Sequence, residues 1–394
     1  MIAVGLVTPK WLSSLAEADI IRQAKGGKSA SDTVLVVCQL SGGNDGLNTV
    51  IPYSDSQYYS LRPTLGIREA QAIKLNDHIA LHPSMQPLAD LYKKGKVAII
   101  QNVGYPQPNR SHFRSMEIWQ SASPDNKLKY GWVGRHFDQQ ATIGQLNPVV
   151  ALGLSTEKPK SLDAKTASIP CFASLADMQS MVGDPDMEAM LRRIQGSDSA
   201  NAGTRVVQQA NKTAFDAMSI LSKKLGTYTP SGAYGNDSFG QGFKQIAQLL
   251  ATSPQTRLVY FSASGFDTHA RQADSHSKLL GGFSNAIAAF QGEMEAIGKA
   301  DKIVVLVFSE FGRRTFENTS GGTDHGAAAP MFLIGNRVKG GLHGPNPNLT
   351  DLSDGDLKFT TDFREVYATA VDDWLGGDST VVLGTKFKSV EVIT

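Results

Sequence analysis

The chain has 394 residues, 41% of them hydrophobic, which is ample for two domains or for one large α/β domain with insertions. Its 38 basic and 37 acidic residues leave a net charge of +1, so we expect no nucleic-acid partner. The sequence has no run of eighteen apolar residues, and we therefore expect no integral membrane segment. The two cysteines, Cys38 and Cys171, are too few for a disulfide framework and are interpreted as buried thiols.

Residues 1–30 begin with a short apolar patch and continue into a polar stretch rich in Gly, Lys and Ser. This order is typical of the rear of a secretory signal whose charged front is missing. An ordinary N-terminal helix is the alternative, because the apolar part is shorter than a full signal requires. We interpret 1–30 as the remnant of an export signal or an N-terminal linker, and 31–394 as a single α/β domain.

Apolar runs without alternation follow along the chain, and such runs are typical of strands buried on both faces. They occur at 33–40, 97–104, 257–264, 302–309 and 329–336. Helical patterns separate most of them, including a segment within 81–95, a helix with Ser111 as its N-cap and a long helix from about 275 to 299. This rhythm predicts an α/β fold with a mostly parallel central sheet and helices on both faces.

Two parts of the chain depart from that rhythm. No helical segment separates Glu310 from the run at 329–336, so this last strand is expected to be antiparallel to its predecessor. Residues 155–235 lose the strand pattern and are interpreted as an inserted helical and loop region that caps the sheet.

Acidic, histidine and serine side chains follow the ends of the apolar runs, where ligands bind in open α/β sheets. These candidates are Asp45, Ser111, His112, Asp267, His269, Glu310, Asp324 and His325. Carboxylate oxygen together with imidazole nitrogen suits zinc or manganese better than calcium. We therefore predict metal ligands at Asp45, Asp267, His269, Glu310, Asp324 and His325. The alternative leaves the acids as turn residues, caps or salt-bridge partners and the histidines as ordinary polar groups.

Ser111 is the candidate nucleophile, because the N-terminus of a helix favours an anionic ester and the attacking alkoxide. Arg110, Arg114 and Arg313 are candidates for clamping an oxyanion by fork geometry. His112 is interpreted as a ligand, a general acid or a first-turn residue. Simple capping is the alternative role for Ser111.

The motifs QLSGGNDGLNTVIP, GWVGR, FDTH, FSEFGRR and GTDHGAAAPMFLIG, with the segment from Leu81 to Phe113, resemble the bacterial domain of unknown function 1501 family. The resemblance covers nearly the whole chain from residue 33. That family is related to the alkaline phosphatase and arylsulfatase superfamily, and its members are similar in carrying a twin-arginine export signal. The resemblance implies an alkaline-phosphatase-like fold and a periplasmic or exported location.

The superfamily's pattern also implies roles for individual positions. Asp45 corresponds to the first metal-binding acid, Ser111 to the nucleophile and Glu310 to a later acid, with Asp267, His269 and His325 as further ligands. Two departures stand out. Asp267 and His269 are two apart where phosphatases of this group space the pair by four, and Phe311 stands where they have histidine. The site is therefore expected to be modified, with one or two metal ions, or to have lost its metal.

Two functions remain open. The chain is either a metal-dependent hydrolase of phosphate or sulfate esters, acting on a small-molecule or polymer substrate, or a catalytically inactive exported binding or assembly protein. A Gly-x-Ser-x-Gly elbow and nucleotide-binding glycine motifs are missing from the sequence, which argues against other hydrolase and nucleotide-binding classes. The oligomeric state is left open.

Overall fold

The structure, a computed structural model, describes residues 32–141, 146–182 and 202–394, together with the isolated positions 186, 189 and 193. The interpretation of 1–30 as an export-signal remnant falls outside the described residues. Among the helices that are described, none combines the length and the apolar character needed to cross a bilayer.

The strands follow one another from residue 34 to residue 362. They are β1 (Val34–Ser41), β2 (Val50–Ile51), β3 (Ile73–Lys74), β4 (Ala80–Leu81), β5 (Val97–Gly104), β6 (Ala151–Leu154), β7 (Cys171–Phe172), β8 (Leu258–Ser264), β9 (Ile303–Phe308), β10 (Ala329–Ile334), β11 (Gly341–His343), β12 (Leu352–Ser353), β13 (Asp356–Leu357) and β14 (Thr361–Asp362).

The helices lie between these strands and after the last of them. They are α1 (Gly46–Thr49), α2 (Ser56–Leu61), α3 (Gln86–Lys93), α4 (His112–Ser121), α5 (Trp132–Ala141), α6 (Leu175–Val182), α7 (Ala202–Leu225), α8 (Ser238–Thr252), α9 (Gln272–Ala296), α10 (Phe363–Ala368), which continues as a π-helix over Thr369–Trp374, and α11 (Ser379–Leu383).

The central sheet has the strand order β11-β5-β10-β9-β1-β8-β6-β7, and β14 pairs with the carboxyl-terminal end of β5. All neighbours in it are parallel except β10, which runs antiparallel to both β5 and β9. The predicted α/β fold with a mostly parallel sheet is therefore confirmed, and so is the antiparallel direction of the strand in the run at 329–336. Because β10 is antiparallel, it begins at the edge where β9 ends.

Alternate residues of β1 point to opposite faces of this sheet. Val36 and Cys38 join a core with α3, α7, α8 and α9, whereas Leu35 and Val37 join a second core with α4, α5, α10 and α11. All four side chains are completely buried, and burying an aliphatic side chain contributes about 1.5–3 kcal/mol. The unbroken hydrophobic pattern of β1 thus reflects a strand covered on both sides.

The predicted helices are present with small shifts of their bounds. Gly95 (φ +72°) follows the end of α3, as predicted, and Ser111 is the N-cap of α4. The long helix α9 spans 272–296 rather than 275–299. The region 155–235 contains α6, α7 and β7, and β7 extends the central sheet by pairing with β6. That this region acts as a cap stays a prediction.

Candidate metal centre

Four side chains meet at the carboxyl edge of the central sheet and are called here the histidine cluster: His112, Asp267, His269 and His325. His112 is the first residue of α4, which follows β5, and Asp267 and His269 lie in the loop after β8. His325 precedes β10, whose antiparallel direction brings it to the same edge. His112 and His325, which are more than 200 positions apart in sequence, are thereby brought together with their ring centroids 4.4 Å apart.

The donor atoms of the histidine cluster are close to one another. His269 Nε2 lies 2.9 Å from His325 Nε2 and 3.0 Å from Asp267 Oδ1. His325 Nε2 is 3.2 Å from Asp267 Oδ1, and His112 Nε2 is 3.4 Å from Asp267 Oδ2. All three imidazoles therefore direct the same nitrogen, Nε2, at one carboxylate.

The opposite nitrogen of each ring, Nδ1, faces an acceptor. His112 Nδ1 lies 3.0 Å from Glu310 Oε1, and His269 Nδ1 lies 2.9 Å from Asp324 Oδ1. His325 Nδ1 lies 2.7 Å from the carbonyl oxygen of Arg110. Carboxylates and carbonyls only accept hydrogen bonds, so this network assigns the proton of each neutral ring to Nδ1. Each Nε2 is then left with a lone pair directed at Asp267.

The charges around Asp267 favour its ionised form. Burial alone would raise its pKa, but the hydrogen bond and the positive charge of Arg313 outweigh burial and lower the pKa of Asp267 to about 2. The hydrogen bond to Glu310 raises the pKa of His112, whereas burial lowers the pKa of His325. An ionised carboxylate surrounded by imidazole lone pairs is a donor set that a cation stabilises.

This arrangement fits a divalent metal ion. Tetrahedral zinc with bonds of about 2.0–2.1 Å spaces its ligands roughly 3.3 Å apart, which is close to the 2.9–3.4 Å spacing of the contacts above. His112 Nε2 is buried and has no hydrogen-bond partner, a costly state for a polar atom unless an ion or a proton is supplied. His112, Asp267 and His325 form a group of possible ligands whose donor atoms all lie within 4.8 Å of one another.

Glu310 and Asp324, which we predicted as ligands, lie behind the imidazoles. The fully buried carboxylate of Glu310 accepts hydrogen bonds from the Gly42 N–H (2.8 Å) and from His112. Asp324 holds His269, and the same oxygen accepts a hydrogen bond from Asn318. Carboxylates in this position orient the ring and raise its basicity toward a metal.

Asp45 lies outside the histidine cluster, although we predicted it as a ligand. Its carboxylate is completely buried, forms an ion pair with Arg62 (2.6 Å) and caps α1 through the N–H of Asn48. Burial raises the pKa of Asp45, but the charge of Arg62 outweighs it, so the pKa lies below the usual value. The residue stands after β1, as expected, but its charge is neutralised by a partner that belongs to the scaffold.

The arginines predicted to clamp an oxyanion are already bonded to protein groups. Arg313 is buried and donates to Asp267 and to the carbonyls of Gly42, Gly43, Phe266 and Thr323.

The other two arginines are bonded in a similar way. Arg110 donates to Asp354 and Asp356, and Arg114 to Glu117, Asn126 and the carbonyl of Pro124. The three guanidinium groups thus stabilise loops in this structure.

Phe311, which stands where the superfamily pattern has histidine, packs against the histidine cluster. Its ring is buried and lies 4.9 Å from the His112 ring and 4.6 Å from the His325 ring, measured between centroids. The loop after β1 packs against it, because a Cβ on Gly43 would come within 2.2 Å of the Phe311 ring. An apolar ring therefore fills the space beside the imidazoles.

Ser111 is exposed at the N-terminus of α4, next to His112. Its hydroxyl does not cap the helix, and its backbone N–H donates to Asn109. The side chain is accessible from solvent, as a nucleophile must be.

Sequence reasoning missed three side chains that hold this region together. Arg62 pairs with Asp45, Gln272 bonds to Asp45 and to two buried threonines, and Asn318 donates to Asp324. None of them stands in a motif or at the end of an apolar run. The one sequence signal is local: Asn318 lies in the same polar loop as Asp324 and His325.

Fold and site together define an α/β protein with a histidine and carboxylate centre at the carboxyl edge of a mostly parallel sheet. The family model described as "Protein of unknown function (DUF1501)" matches residues 32–376, and the chain belongs to that family. Among curated proteins, no sequence matches the chain.

Solved structures resemble the chain only distantly. The PsFucS1 sulfatase from Pseudoalteromonas sp. has 10% identity and a TM-score of 0.38, over 98% of this chain and 75% of that one. The C-terminal periplasmic domain of EcEptC from Escherichia coli has 10% identity and a TM-score of 0.40, over 92% and 90%. Alkaline phosphatase from the Antarctic bacterium TAB5 has 12% identity and a TM-score of 0.36, over 78% and 91%. What the site does must be inferred from its own side chains.

Proposed function

We propose that the chain is a hydrolase of phosphate or sulfate esters that works with one divalent metal ion, zinc or manganese, at the histidine cluster. The observation that carries this proposal is the common orientation of the three imidazoles. Each holds Nδ1 against an acceptor and presents Nε2 to the Asp267 carboxylate. Donor atoms of these kinds at this spacing match the ligands and the geometry of a zinc site.

In this proposal His112, Asp267, His269 and His325 are the ligands. Glu310 and Asp324 act through the imidazoles, since a carboxylate on Nδ1 fixes the tautomer that leaves Nε2 free to bind a metal. A divalent ion bound there would supply a Lewis acid that stabilises negative charge on an ester oxygen. The apolar ring of Phe311 in place of a histidine supports one ion rather than two.

Ser111 is the proposed nucleophile. It is exposed beside His112, and the first backbone N–H groups of α4 have no partner within the helix, so an anionic ester group is stabilised there. The hydroxyl attacks the phosphorus or sulfur atom, the bond to the leaving oxygen breaks, and the proton of Ser111 must pass to a base. The leaving oxygen takes that proton, because Nε2 of His112 and Nε2 of His325 are assigned to the metal. Water then hydrolyses the ester formed on Ser111.

We also propose a location outside the cytoplasm. This proposal depends on the resemblance of the sequence to a family with export signals and on the character of residues 1–30. The substrate class, a small-molecule or polymer ester, is likewise a proposal.

The second candidate is an exported binding or assembly protein without catalysis. The engaged guanidinium groups favour it, because Arg110 and Arg313 are both committed to protein acceptors and neither is free to hold an oxyanion. The hydrolase is expected to turn over esters, and the binding protein is not. Both candidate functions are expected to bind metal.

Ester hydrolysis by the zinc-loaded and manganese-loaded protein, compared with its Ser111→Ala and His325→Ala variants, tests the proposal. Hydrolysis of aryl phosphates or aryl sulfates that both substitutions abolish is the expected result. Metal binding without turnover on either ester class would overturn the hydrolase and favour the binding protein. Turnover unchanged in Ser111→Ala would dismiss Ser111 as nucleophile.

A further inference from the structure

Two loops carry three of the four members of the histidine cluster. The first ligand loop, residues 265–271, contains Asp267 and His269, and the second ligand loop, residues 318–325, contains His325. Each has a threonine close to its ligands: Thr268 lies between Asp267 and His269, and Thr323 lies two positions before His325. Both threonines are buried.

The side chain of Gln272, the first residue of α9, joins these two loops. Its Oε1 accepts hydrogen bonds from Thr268 Oγ1 (3.0 Å) and from Thr323 Oγ1 (2.6 Å). Its Nε2 donates to Asp45 Oδ2. Gln272 has no exposed surface, so solvent cannot replace these contacts.

The buried Asp45 fixes which way the amide of Gln272 faces. A carboxylate only accepts, so it attracts the NH₂ group and leaves the amide oxygen to the threonines. Asp45 is itself held by Arg62, whose guanidinium also donates to the carbonyls of Thr315 and Arg314. A chain of hydrogen bonds, charge-assisted at Asp45 and neutral at the two threonines, thus runs from the scaffold to both ligand loops.

We propose that Gln272 is a positioning residue for the metal site: it sets the separation of the two ligand loops, and Asp45 sets the orientation of its amide. This inference rests on the proposed function, because it concerns the same ligands. It also gives Asp45 a role in metal binding without contact to the ion.

Backbone contacts keep the loops folded when the side chain of Gln272 is changed. The Arg271 and Gln272 N–H groups donate to the carbonyls of Ser320 and Gly321 (3.0 and 2.8 Å), independently of the Gln272 amide. Losing the amide therefore relaxes the spacing of the ligands without removing the loop pairing. Loss of a group that orients metal ligands typically costs 10–100-fold in metal affinity.

The test compares Gln272→Met with Gln291→Met in the full chain. Gln291 is a matched control, because it is buried in the same helix α9 and donates to Glu295 and Asn336, far from the ligands. Zinc affinity is measured by chelator competition, and the thermal midpoint is measured on the metal-free protein. We expect zinc binding about 10–100-fold weaker in Gln272→Met and within about threefold of wild type in Gln291→Met.

A charge exchange provides a rescue that a merely structural role does not predict. Gln272→Glu places two carboxylates in contact and should weaken zinc binding at least as much as Gln272→Met. Adding Asp45→Asn restores a donor opposite the new carboxylate, and it should recover most of the lost affinity.

If Gln272→Met does not fold, the double variant Thr268→Val, Thr323→Val removes only the two hydroxyl donors and carries the same expectation. Equal zinc affinity in wild type, Gln272→Met and the double-valine variant would overturn the positioning role while leaving the proposed function intact. Absence of zinc binding by wild type would instead overturn the proposed function, and the positioning role with it.

Discussion

The substitution Glu310→Gln tests how much the carboxylate behind His112 contributes to metal binding. Glutamine keeps an acceptor for the Gly42 N–H and for His112 Nδ1, now 2.8 and 3.0 Å from Glu310 Oε1, but it removes the negative charge. Hydrogen bonds to charged groups are worth about 1.5–3 kcal/mol against about 0.5–1.5 kcal/mol for neutral ones. Because Glu310 is fully buried, solvent does not screen this difference.

The expected loss is therefore about 1–2 kcal/mol of zinc-binding free energy, or roughly a 5–30-fold weaker affinity. Chelator competition on the purified protein measures it, with Glu317→Gln as control, since Glu317 accepts from Thr64 and Leu65 and does not touch an imidazole. Wild-type zinc affinity in a correctly folded Glu310→Gln variant would refute the reasoning that this carboxylate supports His112 as a ligand.

The remaining predictions concern stability, pH and catalysis. Gly322→Ala should weaken zinc binding, since its Cβ would lie 2.2 Å from the carbonyl carbon of His269, and unchanged affinity in a chelator titration would contradict this contact. Burial lowers the pKa of His82 and of His276 to about 4. Below about pH 6.5 the unfolded chain therefore binds more protons at these histidines than the folded chain does. The free energy of unfolding should fall by up to about 3 kcal/mol per histidine as the pH drops from about 6.5 to about 4. Urea unfolding at several pH values in that range measures how the free energy of unfolding depends on pH. This dependence should be weaker in His276→Gln, and an equal dependence in both proteins would contradict the prediction. Ser111→Ala should abolish ester turnover and leave zinc affinity within about threefold, because the exposed hydroxyl is not a ligand; a large loss of affinity would make it one.

The strands and the convergence of their ends follow from patterns that the sequence displays directly. Uninterrupted Val, Ile and Leu runs predict strands covered on both faces. The structure confirms this for β1, β5, β8 and β9, in which every residue except Ser41, Ser262 and Ser264 is buried. The missing helix between Glu310 and β10 predicted an antiparallel strand, which is what brings His325 back to the carboxyl edge. The sequence thus predicts the strands and helices wherever one pattern of hydrophobic residues dominates a segment.

Which acids lie among the imidazoles and which lie behind them could not be predicted in the same way. Asp45 and Asp267 both follow strands and both lie beside an arginine, and only the fold decides that Arg62 covers one whereas the imidazoles face the other. Arg62 is 17 positions from Asp45 and Glu310 is 198 positions from His112, so no local spacing reports either pair. Hydrogen bonds between distant loops depend on packing that a sequence pattern does not encode.

The roles of the arginines show the same limit of local reasoning. Fork geometry suits an oxyanion and suits backbone carbonyls equally well, and Arg313 uses it for four carbonyl groups and Asp267. Its position directly after the FSEFG segment indicated proximity to the site but not its partner.

Metal stoichiometry tests the central claim most directly. The protein is stripped with a chelator, reloaded separately with zinc and manganese, freed of excess metal and analysed for metal per chain, beside His325→Ala and Asp45→Ala. We expect about one ion per wild-type chain, almost none in His325→Ala, and retained but weaker binding in Asp45→Ala. Metal-free wild type after reloading, or equal metal content in wild type and His325→Ala, would contradict a metal site at the histidine cluster.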